Sequence, residues 1–134
     1  MLFEYDITVP ANTLKSVPKT GELEITRAVI RRIECAFPLG CRDMVQIQLF
    51  WGKHPIFPRN SESWVKGNGY VVSHECFYFI YQQPYKLNYK AHSQGTRYEH
   101  TITVRIHMMP IWAIYPFSDE MYRLATLEEL GERV

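Results

Sequence analysis

No run of eighteen apolar residues occurs anywhere in the chain, which excludes a membrane-spanning helix of ordinary length. Residues 1–6, Met-Leu-Phe-Glu-Tyr-Asp, lack a basic region and an apolar core of signal-peptide length, so synthesis and folding in a cytoplasm are expected. Cysteine is scarce: Cys35, Cys41 and Cys76 form no CxxC pair, which speaks against both a zinc ribbon and a disulfide framework. Three reduced thiols are expected, with Cys35 and Cys41, astride one turn, the only pair that could join. Neither sign of charge dominates, since 15 Lys and Arg face 14 Asp and Glu for a net +1. No global field therefore draws the chain onto nucleic acid or an anionic membrane, and neither is expected as a partner. Also missing are a Gly-rich phosphate loop, a G-x-S-x-G elbow and an H-E-x-x-H helix, so no motif announces catalysis.

What is abundant is aromatic: 9 Tyr, 7 Phe and 3 Trp in 134 residues, enough chain for a single core without metals or disulfides. Aromatics favour strands and interfaces. Residues 98–108 alternate cleanly, with Ile102, Val104, Ile106 and Met108 on one face and Thr101, Thr103, Arg105 and His107 on the other. Such a period of two marks a half-buried antiparallel strand. Residues 2–9 alternate up to Pro10 and read as an edge strand. Residues 10–21, with two prolines and a glycine, read as a loop crossing between sheets.

Residues 22–37 read as one long strand with a bulge or bend near 27–29, a helix being the runner-up, and residues 44–51 as another strand after the Pro38-Leu39-Gly40 turn. Residues 52–68 form the longest irregular stretch, of a length that is usually functional or partner-facing. Two short strands, 69–73 and 76–81, precede a strand over 85–92, which residues 93–96 turn into the 98–108 strand as its hairpin partner. Seven or eight strands without interleaved helices predict an all-β antiparallel sandwich, jelly-roll or immunoglobulin-like, over residues 1–108.

Residues 109–134 change character. The apolar, proline-bounded stretch 110–117 carries Ile111, Trp112, Tyr115 and Phe117, and Pro110 and Pro116 argue against a continuous helix or strand through it. Residues 118–131 predict a short capped helix with Met121, Leu124 and Leu127 in a stripe. Too short to stand alone in water, it needs a surface to pack on. The expectation is a C-terminal docking arm.

Of the chemistry-bearing clusters, His74-Glu75-Cys76 is the tightest, yet only His74 and Cys76 share a strand face, and two ligands do not make a metal site. Neither a metal nor a cofactor is expected. The thiols read as small buried hydrophobes, because nothing nearby lowers their pKa. In residues 77–81 consecutive aromatics fall on both faces of one strand, which implies cover on both sides, by the chain itself or by another subunit. The expected partner-binding residues are Trp64, Ile111, Trp112, Tyr115, Phe117, Met121 and Leu124.

Val9-Pro10-Ala11-Asn12-Thr13, Phe37-Pro38-Leu39-Gly40, Ile56-Phe57-Pro58 and Tyr98-Glu99-His100-Thr101-Ile102-Thr103-Val104-Arg105-Ile106 together make the chain resemble the small β-sandwich decoration or cement proteins of tailed phage particles. The resemblance spans residues 9–106 and carries over no functional residue. It implies a non-enzymatic structural subunit of a virion, homo-oligomeric and bound to another virion protein such as the major capsid protein. A carbohydrate-binding sandwich module is the alternative, with Trp51 and Trp64 as its sugar-stacking rings.

Overall fold

The computed structural model describes residues 1–114. Nine strands and one helical turn succeed one another: β1 (Leu2–Val9), β2 (Lys19–Glu24), β3 (Ala28–Ala36), β4 (Gln46–Trp51), β5 (His54–Phe57), β6 (Val65–Lys66), β7 (Val71–Ile80), β8 (Lys86–His92), β9 (His100–Met109) and α1 (Ile111–Ile114). One sheet has the order β1-β9-β3-β7; the other runs β2-β8-β4-β5, with β6 also pairing β4. All pairings are antiparallel.

The pairings nest. β1 bonds β9, β2 bonds β8, β3 bonds β7 and β4 bonds β5, so first meets last and the innermost pair is joined by a tight turn at Gly52 and Lys53. A long hairpin of strand pairs, wrapped so that successive pairs alternate between two sheets, is a jelly roll. That choice between the two sandwich topologies is made by strand order, which side-chain alternation does not encode.

The core lies between the sheets. Ile102, Val104, Ile106 and Met108 of β9 point inward as their alternation predicts, against Ile47 and Leu49 of β4, Leu87 of β8 and Ile33 and Cys35 of β3 in one buried cluster. Outward, the first sheet carries cross-strand ion pairs, Arg105 to Glu4 at 3.0 Å and Arg32 to Glu75 at 2.7 Å, and a His107–Glu34 hydrogen bond at 2.5 Å. Exposed pairs of this kind contribute little stability, and they mark a solvated face.

The expected strand boundaries need correction in several places. The long strand over 22–37 is two strands in different sheets: the chain leaves β2 at Glu24, crosses through 25–27 and enters β3 at Ala28. The irregularity sits at Arg31: between the paired positions Ile30 and Arg32, the partner on β9 steps back from Met108 to His107 and the partner on β7 from Tyr78 to Glu75. Over that step β9 spans one residue, β3 two and β7 three, which bends the sheet. The two short strands expected over 69–73 and 76–81 are one, β7, because His74 and Glu75 continue the ladder opposite Ile33 and Arg32. Residues 52–68, expected to be irregular, contain β5 and β6. β8 and β9 are not hairpin partners. They lie in opposite sheets, because the connection 93–99 is held against 10–18 instead of folding back.

Those two crossing loops are stitched by six hydrogen bonds. The Ser93 N–H donates to the Thr13 carbonyl and the Thr13 N–H to Ser93 Oγ, which itself donates to the Pro10 carbonyl. Asn12 N–H donates to Thr96 Oγ1, Gly95 N–H to Asn12 Oδ1 and Lys15 N–H to Gln94 Oε1. At the C-terminal side, β9 runs one residue past the expected boundary and α1 begins directly after Pro110. Proline obstructs a helix interior but suits its first turn, so the helix begins there, with Ala113 N–H donating to the Pro110 carbonyl at 3.1 Å.

Candidate partner-binding surface

The two ends of the sandwich differ in chemistry. At the end formed by 25–27, 52–53 and 81–85, ring systems gather. Trp51, last in β4, meets Tyr78 and Tyr81 edge-on with centroids 5.7 Å away in each case, and Tyr81 leans against Phe79 at 5.7 Å. The indole Nε1–H is satisfied by the Pro84 carbonyl at 2.9 Å, which fixes the ring. Trp51, His54, Arg59, Phe77 and Tyr81 border a cleft of about 470 Å³, and a second of about 310 Å³ shares Trp51, His54 and Tyr81.

Beside this cleft runs β7, ten residues long and at the sheet edge, bonded among the described residues to β3 alone. Its outward residues are Val71, Ser73, Glu75, Phe77 and Phe79. Phe77, which borders the cleft, is 53% exposed; Val71 and Tyr70, also exposed, lie at the far end of the strand beside Ala36 and Phe37. The opposite edge, β1, instead turns Glu4 and Asp6 outward, the charged dressing by which proteins keep an edge from pairing. Among the described residues the expected two-sided cover of 77–81 is missing at Phe77, whereas Phe79 is half-buried with the Arg27 guanidinium 5.8 Å from its ring centroid. His74 and Cys76, facing in, are engaged individually: His74 stacks on Phe57 at 5.3 Å, and the Cys76 thiol donates to the Ile30 carbonyl at 3.6 Å.

Among the described residues no three His, Cys, Asp or Glu come together as a metal cluster. All three cysteines are free. Burial pushes the Cys35 thiol up to about 12 and raises Cys41 and Cys76 as well, the last partly offset by Arg31, so none is poised as a thiolate.

Of the partner residues expected from sequence, Trp64, Ile111 and Trp112 fall among the described residues, and these three are not brought together. Trp64 is half-buried at the stitched end, edge-on to His92 with centroids 4.6 Å apart and with Lys15 Nζ 5.9 Å from its own centroid. Ile111 is buried at 5%, packed within the chain itself, whereas Trp112 next to it is 67% exposed at the other end, beside Met1, Thr26 and Arg27. Tyr115, Phe117, Met121 and Leu124, and the helix expected over 118–131, lie outside the described residues. The β7 rim was missed as a site although its aromatic run was visible, because exposure of one face depends on sheet order. No family model and no curated protein matches this chain.

Proposed function

We propose that this protein is a non-enzymatic structural subunit of a virus particle, a capsid decoration or stabilising protein that works by burying surface against neighbouring protein subunits. One observation carries the reading: a ten-residue edge strand, free on one side among the described residues, that exposes Phe77 beside a cleft bordered by Trp51, Tyr81 and Arg59. A bare apolar edge is a template for pairing, and proteins that leave one uncovered put it to use. Trp, Tyr and Arg are also the residue types that concentrate binding energy at interfaces. The jelly-roll topology agrees at the level of analogy, since capsid shells are a common use of it, and lectins are another. The assignment to a virion rests on the resemblance in residues 9–106.

The experiment is a paired measurement of solution mass and of copurification with particles, on the wild type and on Phe77→Lys. Both residue types at position 77 face water in the isolated domain, so the variant folds. Loss of assembly and of particle association in the variant is the expected result; a stable wild-type monomer that never copurifies with particles would falsify the reading. A carbohydrate-binding module remains the second reading, favoured by the cleft's aromatic border. It requires that Tyr81→Ala abolish a measurable sugar affinity, and silence on a glycan array removes it.

A further inference from the structure

The stitched end of the sandwich carries a cleft of about 630 Å³ between the β3–β4 and β8–β9 connections. Its border includes Arg42, Arg97, His100, Tyr98, Leu39 and Met44, and no carboxylate. Neither guanidinium has an ion-pair partner among the described residues, although other surface cations of this protein, Arg32, Lys86 and Arg105, have found one. His100 Nδ1 is buried and makes no hydrogen bond. A buried polar atom without a partner is costly, and beside this one two exposed guanidiniums border the same cleft.

The backbone is shaped around the same space. Gly40 and Gly95 both hold a positive φ, +104° and +92°, and both border the cleft. A Cβ at Gly40 would stand 3.8 Å from His100 Nε2, an ordinary contact, so the imidazole lies next to this backbone and the positive φ is what calls for glycine. Arg42 itself is held at φ +49°, a conformation that an L-residue adopts at a cost, fixed by the 38–44 turn. That turn is anchored by Asn68, whose Oδ1 accepts from the Gly40 N–H at 2.9 Å, and by the Cys41 carbonyl, which accepts from the Met44 N–H at 2.8 Å.

We propose that this cleft binds the phosphate group of a small phosphate monoester. Two guanidinium forks and an imidazole N–H match the three acceptor oxygens of a phosphate better than the two of a carboxylate, and Arg is the side chain suited to such planar, multidentate recognition. The exposed Tyr98 and Leu39 at the rim offer an apolar surface to the esterified body. The inference is independent of the assembly role, which resides at the opposite end.

The test titrates inorganic phosphate and then phenyl phosphate into the full chain, following the His100 ring resonances by NMR and the heat by calorimetry. Saturable binding centred on His100 is expected, tighter for phenyl phosphate. Arg42→Gln and Arg97→Gln should each weaken it by about tenfold or more, the loss of a charge-assisted contact, while Lys53→Gln, exposed at the far end, leaves it unchanged. Because both cleft arginines are exposed, the variants fold. Absence of saturation, or equal weakening by Lys53→Gln, would reduce the effect to general ionic attraction and overturn the proposal.

Discussion

His92 shows how a single titratable residue sets a pH limit on this fold. Its Nε2 pairs with Gln46 Oε1 at 3.0 Å, its Nδ1 accepts from the Gln94 N–H at 3.4 Å, and Trp64 packs edge-on against the ring. Burial first, and the nearby Lys15 charge second, hold its pKa below the ordinary 6.5. The folded state therefore favours the neutral ring, and protonation of Nδ1 would also lose the Gln94 contact. With the folded pKa depressed, the stabilisation is complete above the unfolded value and is lost as pH falls through the folded one. Urea midpoints should drop as pH is lowered from about 7.5 to about 5, and His92→Gln should flatten that dependence. An unchanged slope in the variant would assign the loss to other groups. Gly67 sets a steric limit instead: a Cβ there would lie 2.8 Å from Phe37 Cδ2, on a ring that is 3% exposed. Gly67→Ala should destabilise by about 1–3 kcal/mol, read as a lowered melting temperature, because the buried ring has no free space to retreat into.

At the scale of elements, α1 marks where packing of the C-terminal chain against the sandwich can be tested. Ile111 is buried, outside the main core cluster, so truncation after Met108 removes a packed side chain worth about 1.5–3 kcal/mol and should lower the melting temperature by several degrees. Truncation after Ile114 keeps it and should melt at a higher temperature than truncation after Met108. Equal melting temperatures for the two truncations would show that Ile111 contributes nothing. The strands themselves were legible wherever one face is buried and the other wet: β9 keeps to its alternation throughout and β8 as far as Ala91, whereas β4 also buries Gln48 on its polar face. Legibility failed where the answer depends on partners distant in sequence. The crossing at 25–27 reads as a bulge because both neighbouring strands are in β phase, and the 93–96 turn reads as a hairpin because its bonds to Asn12 and Thr13 are invisible locally. Of the candidate site, the aromatic run at 77–81 could be seen, and the sheet position that exposes Phe77 could not. The pairing of Arg42 with Arg97 and His100 has no sequence signature at all, since the loops that hold them are fifty residues apart or more.

For the molecule as a whole, the jelly roll places two unlike surfaces at opposite ends of one rigid core, one aromatic and one basic, with a polar ion-paired face between. Each can change without disturbing the other, which is why the assembly and phosphate experiments are separable. The nested pairing has a further consequence, for the order of events in time. β1 waits for β9: the Met1 ammonium donates to the Met108 carbonyl at 2.7 Å, and the two strands match residue for residue from Leu2 with His107 to Val9 with His100. A chain emerging from a ribosome can close the inner pairs β4 with β5 and β3 with β7 early, but its first sheet stays divided until some hundred residues have appeared. During that interval β1 and β3 lack the strand that joins them, and their apolar faces are open to other chains. Contacts so distant in sequence make folding slow, and crowding of nascent copies, more than any weakness of the finished sandwich, is where this protein is most exposed to misassembly.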